Sequence, residues 1–354
     1  MNTSPLRPTH EAAGARVQPE EAGGEVITYG DVPAEYAAGE SDGALLLDRT
    51  TRGLVSISGS DATDFLHRIL ANEIKSLTPG TGNRNLLLTG KGKVAHVFDL
   101  ASLGEGYLLS TEPGGAATLI EALDIYLFTE DLEIRDETEA HAPLELVGPK
   151  AQAILASALE GGPQERGDDH AFHLAQFAGG PVRVTPLQVA GRPGWRVEAE
   201  PSKVAELWTA LVEAGAQPGG LVAFDSLRAD TVTAAVGRDV TDEVYPQEAR
   251  LDDAFSLTKG CYIGQEVVAK IDTYGGLNKQ LFRLRVSNGD PIAPGTRLLR
   301  EIDGELRDLG VVTTWAYSFP DDAGVVLGYV KRKHQEPGTE FRLGDTDATA
   351  VLVP

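Results

Sequence analysis

Between residues 54 and 134, the hydrophobic residues of this chain change repeatedly from strand-like runs to helical spacing. Phe65 and Ile69 lie on one face of a helix that Ser60 can cap, and a second helix runs through residues 119–127. The strand candidates are 54–57, 85–88, 94–98, 107–109 and 132–134. The β-α-β-β-α-β order predicts an α+β sheet with helices on one face.

Similar units return from Leu144 to about Ala216, and beyond about Gln280 the pattern changes to short strands separated by turns. Such spacing is typical of a small antiparallel barrel. The first residues are rich in Pro, Gly, Ala and Glu and show little periodicity, which indicates disorder. We therefore expect a disordered leader over 1–40, a first α+β domain over 41–143 and 217–279 that carries the cysteine, a second, ferredoxin-like α+β domain over 144–216, and a C-terminal β-barrel domain over 280–354.

The charge balance bears on possible partners. The chain has 31 Lys and Arg against 53 Asp and Glu, a formal net charge of −22, which opposes binding to the phosphates of nucleic acids. The basic run 331–334 is a short exception, interpreted as a solvated loop or strand end. We find no apolar run near the ~20 residues of a membrane span and no secretory signal, so we expect a cytoplasmic protein.

Cys261 is the only cysteine in 354 residues, which excludes an intramolecular disulfide and any metal site that takes two thiolates from one chain. Gly260 and Gly264 permit a tight turn around it, and Lys259 would favour its thiolate form. Residues 265–270 either open a helix or form a strand with Val267 facing inward. If they are helical, the helix N-terminus would favour the thiolate in the same way. From these residues alone, Cys261 is either an accessible functional thiol or a small buried apolar residue.

Three other features are weaker site candidates. The Gly90–Lys93 turn is interpreted as a plain hairpin turn, since it lacks a Walker pattern. His170 and His173 would lie on one strand with their side chains on opposite faces, which argues against a metal pair. The acidic run from Asp239 to Glu248 is either a solvated loop or part of a site near Cys261.

The stretch Lys259–Glu266 resembles the Lys-Gly-Cys-Tyr-x-Gly-Gln-Glu signature of the YgfZ family of folate-binding proteins. Residues 227–230, 237–239 and 246–249 resemble that family's Arg-x-Glu-Ala-Gly, Gly-x-Asp and Pro-x-Glu-Ala segments, and residues 52–59 match its opening. The resemblance covers about residues 44 to 354. This family is grouped with the T-protein, the aminomethyltransferase of the glycine cleavage system, and with mitochondrial iron–sulfur assembly factors.

The resemblance implies a fold and a set of site residues. T-protein-like α+β domains would surround a central folate channel, the cysteine motif would line the mouth of that channel, and a C-terminal antiparallel β-barrel would follow. Cys261 would be the functional thiol and Lys259 its electrostatic partner. Tyr262, Gly264, Gln265 and Glu266 would shape the site. Arg228 and Asp230 would face the folate, since a guanidinium can hold its glutamate carboxylates.

Two departures from the resembled pattern matter for catalysis. The family usually has glutamate where this chain has Asp230, which is one methylene shorter. The T-protein has an essential aspartate after a hairpin glycine, whereas residues 92–97 here contain no carboxylate. Asp99 comes two residues later and is expected not to reach the same place. These departures disfavour aminomethyl transfer but not folate binding.

The implied function is assistance to iron–sulfur cluster assembly or repair in client proteins, with tetrahydrofolate or a one-carbon derivative as ligand and without a permanently bound metal. The partners would be iron–sulfur client proteins or assembly factors. Two alternatives stay open. One is a folate-dependent aminomethyltransferase, and the other is a folate-sensing module whose cysteine is redox-regulatory.

Overall fold

The N-terminal residues are folded against the rest of the chain. The computed structural model describes residues 3–354 and begins with α1 (Arg7–Ala12), the hairpin of β1 (Arg16–Val17) and β2 (Val26–Thr28), and α2 (Val32–Ala37). The prediction of a disordered leader is therefore wrong for residues 3–40, and residues 1 and 2 lie outside the described part. Leu6 and His10 are buried. Composition did not predict this order, because these few buried residues pack into a core that other segments of the chain supply.

A five-stranded antiparallel sheet follows, in the order β5-β6-β7-β4-β8. The elements of this stretch are a π-helical turn (Ala38–Asp42), β3 (Leu45–Asp48), β4 (Arg52–Ser58), α3 (Ala62–Ile69), β5 (Gly82–Leu88), β6 (Val94–Ser102), β7 (Gly106–Pro113), α4 (Gly115–Asp124) and β8 (Glu133–Asp136). α3 and α4 pack on one face of the sheet through Phe65, Leu66 and Leu119, as the spacing predicts. Ser60 does not cap α3; its hydroxyl donates to Asp131.

The second sheet has six strands in the order β10-β11-β12-β9-β3-β13. Its remaining elements are β9 (Ala142–Val147), α5 (Ala151–Ala158), β10 (His173–Phe177), β11 (Gly180–Val189), β12 (Arg192–Ala199), α6 (Val204–Glu213) and β13 (Gln217–Pro218). β3 pairs with β9 and β13 pairs with β3, so this sheet takes strands from outside 144–216. His170 precedes β10 at φ 63°; the prediction that both histidines lie on one strand is wrong.

The C-terminal strands close into a six-stranded barrel, which confirms the α+β fold with a separate barrel. The last elements are α7 (Leu221–Asp230), α8 (Gln265–Tyr274), β14 (Lys279–Val286), β15 (Arg297–Ile302), β16 (Glu305–Ser318), β17 (Ala323–Lys331), β18 (Glu340–Leu343) and β19 (Thr349–Leu352). The strand order is β14-β17-β16-β15-β18-β19. The basic run 331–334 forms the end of β17 and a short 3₁₀ turn.

No helix within residues 3–354 is both long enough and apolar enough to cross a membrane.

Candidate functional site

The Cys261 loop lies at the surface, immediately before α8. The cysteine is exposed, which agrees with the accessible form of the thiol rather than a buried apolar one. Gly264 adopts φ 78° and begins α8, a conformation that glycine reaches without strain. The turn lies where the glycines predict it, and of the two interpretations left open for residues 265–270 the structure shows the helix. A role for the thiol in chemistry stays a prediction.

Lys259 anchors this loop to the end of α3. Its Nζ donates to the carbonyl oxygens of His67 and Leu70, at 2.6 Å each, and lies 5.5 Å from the centre of the Tyr262 ring. Positive charge is favourable at a helix C-terminus, where carbonyl groups lack partners. Burial lowers the pKa of Lys259 to about 8. Its observed contacts are thus those of a clamp, and its role as partner of the thiol stays a prediction.

The 90–93 turn and the cysteine motif are in contact. A Cβ on Gly264 would lie 2.6 Å from the carbonyl oxygen of Thr89, and one on Gly92 would lie 2.8 Å from Cβ of Val267. The nitrogen of Lys93 reaches Glu243 at 3.1 Å. The turn is a hairpin turn between β5 and β6, as expected, and it also seats the start of α8.

The other residues of the motif have separate environments. Tyr262 is 7% exposed and packs among apolar side chains, and its hydroxyl has no hydrogen-bond partner in the described structure. Burial raises its pKa to about 12. Glu266 is exposed and pairs with Lys270 at 2.6 Å, while Gln265 is half-buried. Tyr262 is therefore a core residue of the loop, and Glu266 faces solvent.

Arg228 is buried and paired at the junction with the barrel. It is 1% exposed, and its guanidinium contacts Asp225 at 2.7 Å and Asp239 at 2.6 Å. It also donates to the carbonyl oxygen of Thr233 and the hydroxyl of Thr314 on the barrel. This pairing argues against the expectation that Arg228 holds folate carboxylates, and a role toward folate stays a prediction.

Asp230 is likewise engaged at the junction with the barrel. Its carboxylate accepts hydrogen bonds from Tyr36 at 2.8 Å, Arg283 at 3.0 Å and Ser318 at 2.9 Å. These contacts join α2 and α7 to β14 and β16. In this structure, Asp230 holds elements together, and a role toward folate stays a prediction.

A polar cavity lies between the two sheets. Its volume is about 30 Å³, room for a water molecule. Asp99 of β6 faces it, together with Arg196 and Glu198 of β12. The other lining residues are Leu54, Leu100, Ala101, Leu108, Ser110, His170, Arg183 and Thr185. The hydroxyl of Ser110, a residue 5% exposed, has no partner in the described structure, so a polar ligand atom could satisfy it.

Asp99 is the centre of the charges around this cavity. Arg196 lies 2.8 Å from it, Arg52 3.8 Å and His170 3.9 Å. Burial alone would raise the pKa of Asp99, but Arg196 and the neighbouring cations hold it well below its usual range. The group is therefore a fixed negative charge. It can stabilise a cation or accept hydrogen bonds, but it is a poor proton acceptor.

A second charged group completes the cavity. Glu198 pairs with Arg183 and lies 3.3 Å from His141. Burial opposes ionisation of Glu198, but Arg183 and His141 outweigh it and lower its pKa to about 2. Burial lowers the pKa of His141 to about 4, and it also lowers the pKa of His170. Both histidines are neutral at neutral pH, so the cavity offers carboxylates and guanidiniums as its charged groups.

The sequence missed this cavity. Along β6, Val97, Asp99 and Ala101 share one face, while Phe98 and Leu100 face the α3 side. The carboxylate thus lies on the face toward the second sheet. One signal in the sequence could have located the cavity, namely a charged residue inside an otherwise apolar strand, as in β6 and at residues 195–198. Charged residues are rarely buried without a partner, so such positions predict buried ion pairs.

The cavity and the cysteine loop lie at different points of one hairpin. Gly92, which contacts the start of α8, lies in the turn just before β6, seven residues from Asp99 within that strand. At the rise of a strand, that is roughly 20 Å. One small group cannot touch both places at once, but an extended ligand could.

A second concave region is larger but has a simpler lining. It measures about 390 Å³ and lies between the start of α4 and the end of β8. Small residues such as Gly53 and Ala116 line it, with the exposed carboxylates of Asp136 and Glu139. It has no arginine and no buried charge among its lining residues, so we give the cavity at Asp99 more weight.

Comparison with known proteins gives a consistent result. Residues 7–259 match the family model described as the GCVT N-terminal domain. The chain is 30% identical to an aminomethyltransferase of Rubrobacter xylanophilus, covering 100% of this chain and 93% of that protein. It is 28% identical to a chloroplastic protein of Arabidopsis thaliana that is named as a transferase, covering 86% of this chain and 69% of that protein.

The fold also has a counterpart of known structure. The chain superposes on the glycine cleavage system aminomethyltransferase T from Bartonella henselae with a TM-score of 0.86, covering 99% of this chain and 96% of that one, at 24% identity. At that identity, the likeness supports the fold alone. Since the matched domain spans most of the chain, and a relative named as an aminomethyltransferase is 30% identical over the whole chain, this protein belongs to the family of the GCVT N-terminal domain.

Proposed function

We propose that this protein binds a reduced folate between its two sheets and uses Cys261 in support of iron–sulfur cluster assembly or repair in client proteins. The observation that carries the folate proposal is the buried polar cavity, which presents paired carboxylates and guanidiniums beside an unpartnered hydroxyl, that of Ser110. Family membership supports it, because the resemblance noted in the sequence implies tetrahydrofolate as ligand.

The hydrogen-bond donors and acceptors of the lining residues match those of a polar heterocycle. A pterin ring has N–H donors and oxygen and nitrogen acceptors on one edge. Asp99 and Glu198 can accept hydrogen bonds, while Arg183 and Arg196 can donate them. The size does not fit without movement, since about 30 Å³ holds no ring. Binding would therefore require Arg196 and Asp99 to separate.

The thiol is the second half of the proposal. Cys261 is exposed on a loop that Lys259 and Gly264 hold in place. A single cysteine is not enough to ligate a cluster within one chain, so the expected role is transient thiol chemistry at a client. The roughly 20 Å between the loop and the cavity suits a ligand that binds in extended form.

Calorimetric titration with tetrahydrofolate tests the ligand. Wild type should bind, and Asp99→Asn and Arg196→Met should bind at least tenfold more weakly. Glu301→Gln, at an exposed position of the barrel strand β15, should bind as wild type does. If titration of the wild type with tetrahydrofolate gives no heat of binding, and tetrahydrofolate competes with no other folate for the wild type, the folate proposal fails.

Complementation tests the thiol. In cells that lack the protein, Cys261→Ser should fail to restore the activity of iron–sulfur enzymes, although it folds and binds folate as wild type does. Full restoration by this variant would mean that the thiol has no such role.

Aminomethyl transfer is the second candidate, and Asp99 is the observation in its favour. Residues 92–97 contain no carboxylate at the place expected for the T-protein aspartate, but Asp99 lines the cavity proposed here for the ligand. Several relatives are named aminomethyltransferases. The strong pairing of Asp99 with Arg196 argues for charge stabilisation rather than proton transfer. Turnover of an aminomethyl donor with tetrahydrofolate, lost in Asp99→Asn, would favour this candidate.

A further inference from the structure

A continuous series of ion pairs joins the N-terminal hairpin to the cavity. Glu25 lies 3.4 Å from Arg49, and Arg49 lies 3.1 Å from Glu145. Glu145 lies 2.9 Å from Arg196, which in turn lies 2.8 Å from Asp99. The charges alternate in sign along the whole series, and each inner member is shared between two partners.

The inner members of this series are shielded from solvent. The side chains of Arg49, Glu145 and Arg196 are 10%, 6% and 5% exposed, whereas that of Glu25 is 29% exposed. Salt screens buried charges much less than exposed ones. Loss of a charge at one end of the series can therefore alter the strength of the next ion pair. In a series on the surface, salt would screen this effect.

Local structure fixes the route. Glu145 and Arg196 are direct cross-strand neighbours on β9 and β12. The guanidinium carbon of Arg49 lies 4.2 Å from the centre of the Phe224 ring on α7. Glu145 uses one oxygen for Arg49 and the other for Arg196. Because the sheets hold the backbones of Glu145, Arg196 and Asp99, these side chains respond mainly by changing how each hydrogen-bonding group is divided between its two partners.

We propose that Glu25 is a positioning residue for the cavity: by holding Arg49, it sets how firmly Glu145 keeps Arg196 away from full pairing with Asp99. This inference rests on the proposed function in one respect, namely that the ligand must part Arg196 from Asp99. No contact between Glu25 and the cavity is needed, since its action passes through the three intervening side chains.

The sign follows from the alternation. Without the charge of Glu25, Arg49 has Glu145 as its remaining carboxylate in the series, so Glu145 moves toward Arg49. Arg196 then loses part of its hold on Glu145 and pairs more fully with Asp99. The cavity closes more tightly, and a ligand that needs Asp99 binds less well.

Other charges surround the series and are held by partners of their own. Arg52 lies 3.8 Å from Asp99 and pairs with Glu112 at 2.6 Å. Arg238, which also acts on Glu25, pairs with Asp225 at 2.6 Å. Because these groups are already paired, we expect them to weaken the effect of Glu25 rather than to replace its contact with Arg49.

Glu25→Gln tests the proposal, with Glu21→Gln as matched control. Glu21 is exposed, lies in the same segment and forms no ion pair within the described residues. Calorimetry should show tetrahydrofolate binding about three- to tenfold weaker in Glu25→Gln and unchanged in Glu21→Gln. In an Asp99→Asn background, Glu25→Gln should have no further effect on affinity. Unchanged affinity in Glu25→Gln would overturn the proposal.

A measurement without ligand separates this inference from the proposed function. The shifts in urea midpoint caused by Glu25→Gln and Asp99→Asn should not add up to the shift in the double variant. Mutations at distant sites that are not coupled have additive effects, so non-additive shifts would indicate coupling. If wild type binds no folate, the proposed function fails, and this cycle alone decides the coupling. Additive midpoints would show that the series transmits nothing, and the positioning role would fall with them.

Discussion

Arg228 lies between Asp225 and Asp239 with 1% of its surface exposed, and it also contacts Thr314 on the barrel. Removal of one member of a buried ion pair leaves the other charge without compensation, which costs about 3–5 kcal/mol. We expect Arg228→Met to lose about that much free energy of unfolding, measured by urea denaturation.

Arg238 supplies the control for this prediction. It pairs with the same Asp225, but its side chain is 42% exposed, and exposed ion pairs are worth at most about 1 kcal/mol. Arg238→Met should therefore have a small effect. Equal losses in the two variants would show that burial does not decide the role of Arg228.

His141 makes stability depend on pH. Burial lowers its pKa from 6.5 to about 4, so between pH 6.5 and 4 the unfolded chain binds a proton that the folded protein does not. Stability is fully present above pH 6.5 and falls as pH drops toward 4, by up to about 3 kcal/mol. Glu198, with its pKa lowered to about 2, adds a loss between pH 4.5 and 2.

The free energy of unfolding of His141→Asn, followed from pH 7 to 4, should be flatter than that of wild type. His334→Gln, which alters the basic run on the barrel, should keep most of the slope. A slope unchanged in His141→Asn would mean that other groups carry the pH dependence.

At the scale of elements, the β5–β6 turn and α8 depend on each other. Gly92 has φ 75°, and a Cβ there would lie 2.8 Å from Cβ of Val267 and 3.2 Å from the carbonyl oxygen of Gly264. Gly92→Ala should displace the start of α8, lower the free energy of unfolding by about 1–3 kcal/mol, and raise the rate at which a thiol reagent labels Cys261.

Gly90→Ala is the matched control, since nothing lies within 4 Å of a Cβ at Gly90 in the same turn. It should label and unfold as wild type does. Similar labelling rates for the two variants would argue that the turn does not seat the cysteine loop.

The elements themselves were largely predictable, but their contacts were not. Helical spacing located α3 through Phe65 and Ile69, whereas the run 265–270 was compatible with helix or strand and only the structure shows that it begins α8. The contact between Gly92 and the start of α8 could not be predicted from the sequence, because hydrophobic periodicity describes one element at a time. The same limit explains why β3 was not assigned to the second sheet, whose partner β9 comes almost a hundred residues later.

For the whole molecule, the N-terminal segment is part of the fold. His10 is 1% exposed, receives a contact from Tyr29 at 2.6 Å, and lies 2.8 Å from Asp48 of β3. We expect trypsin to leave Arg16 uncleaved under native conditions, because this network and buried Leu6 hold the segment down.

His10→Ala should speed cleavage at Arg16, whereas Glu11→Ala, on the exposed side of α1, should not. Rapid cleavage of wild type at Arg16, with the rest of the chain still folded, would contradict the docked segment.

The sequence by itself determined the α+β class, the barrel, and the turn that exposes Cys261, because periodicity and glycine placement act over a few residues. Only the tertiary structure decided which charges meet. Arg228 and Asp230, expected to face a ligand, are neutralised at the barrel junction, while Asp99, expected to be out of reach, faces the cavity. Ion pairs join residues far apart in sequence, and a buried charge is stable only where the fold brings its partner.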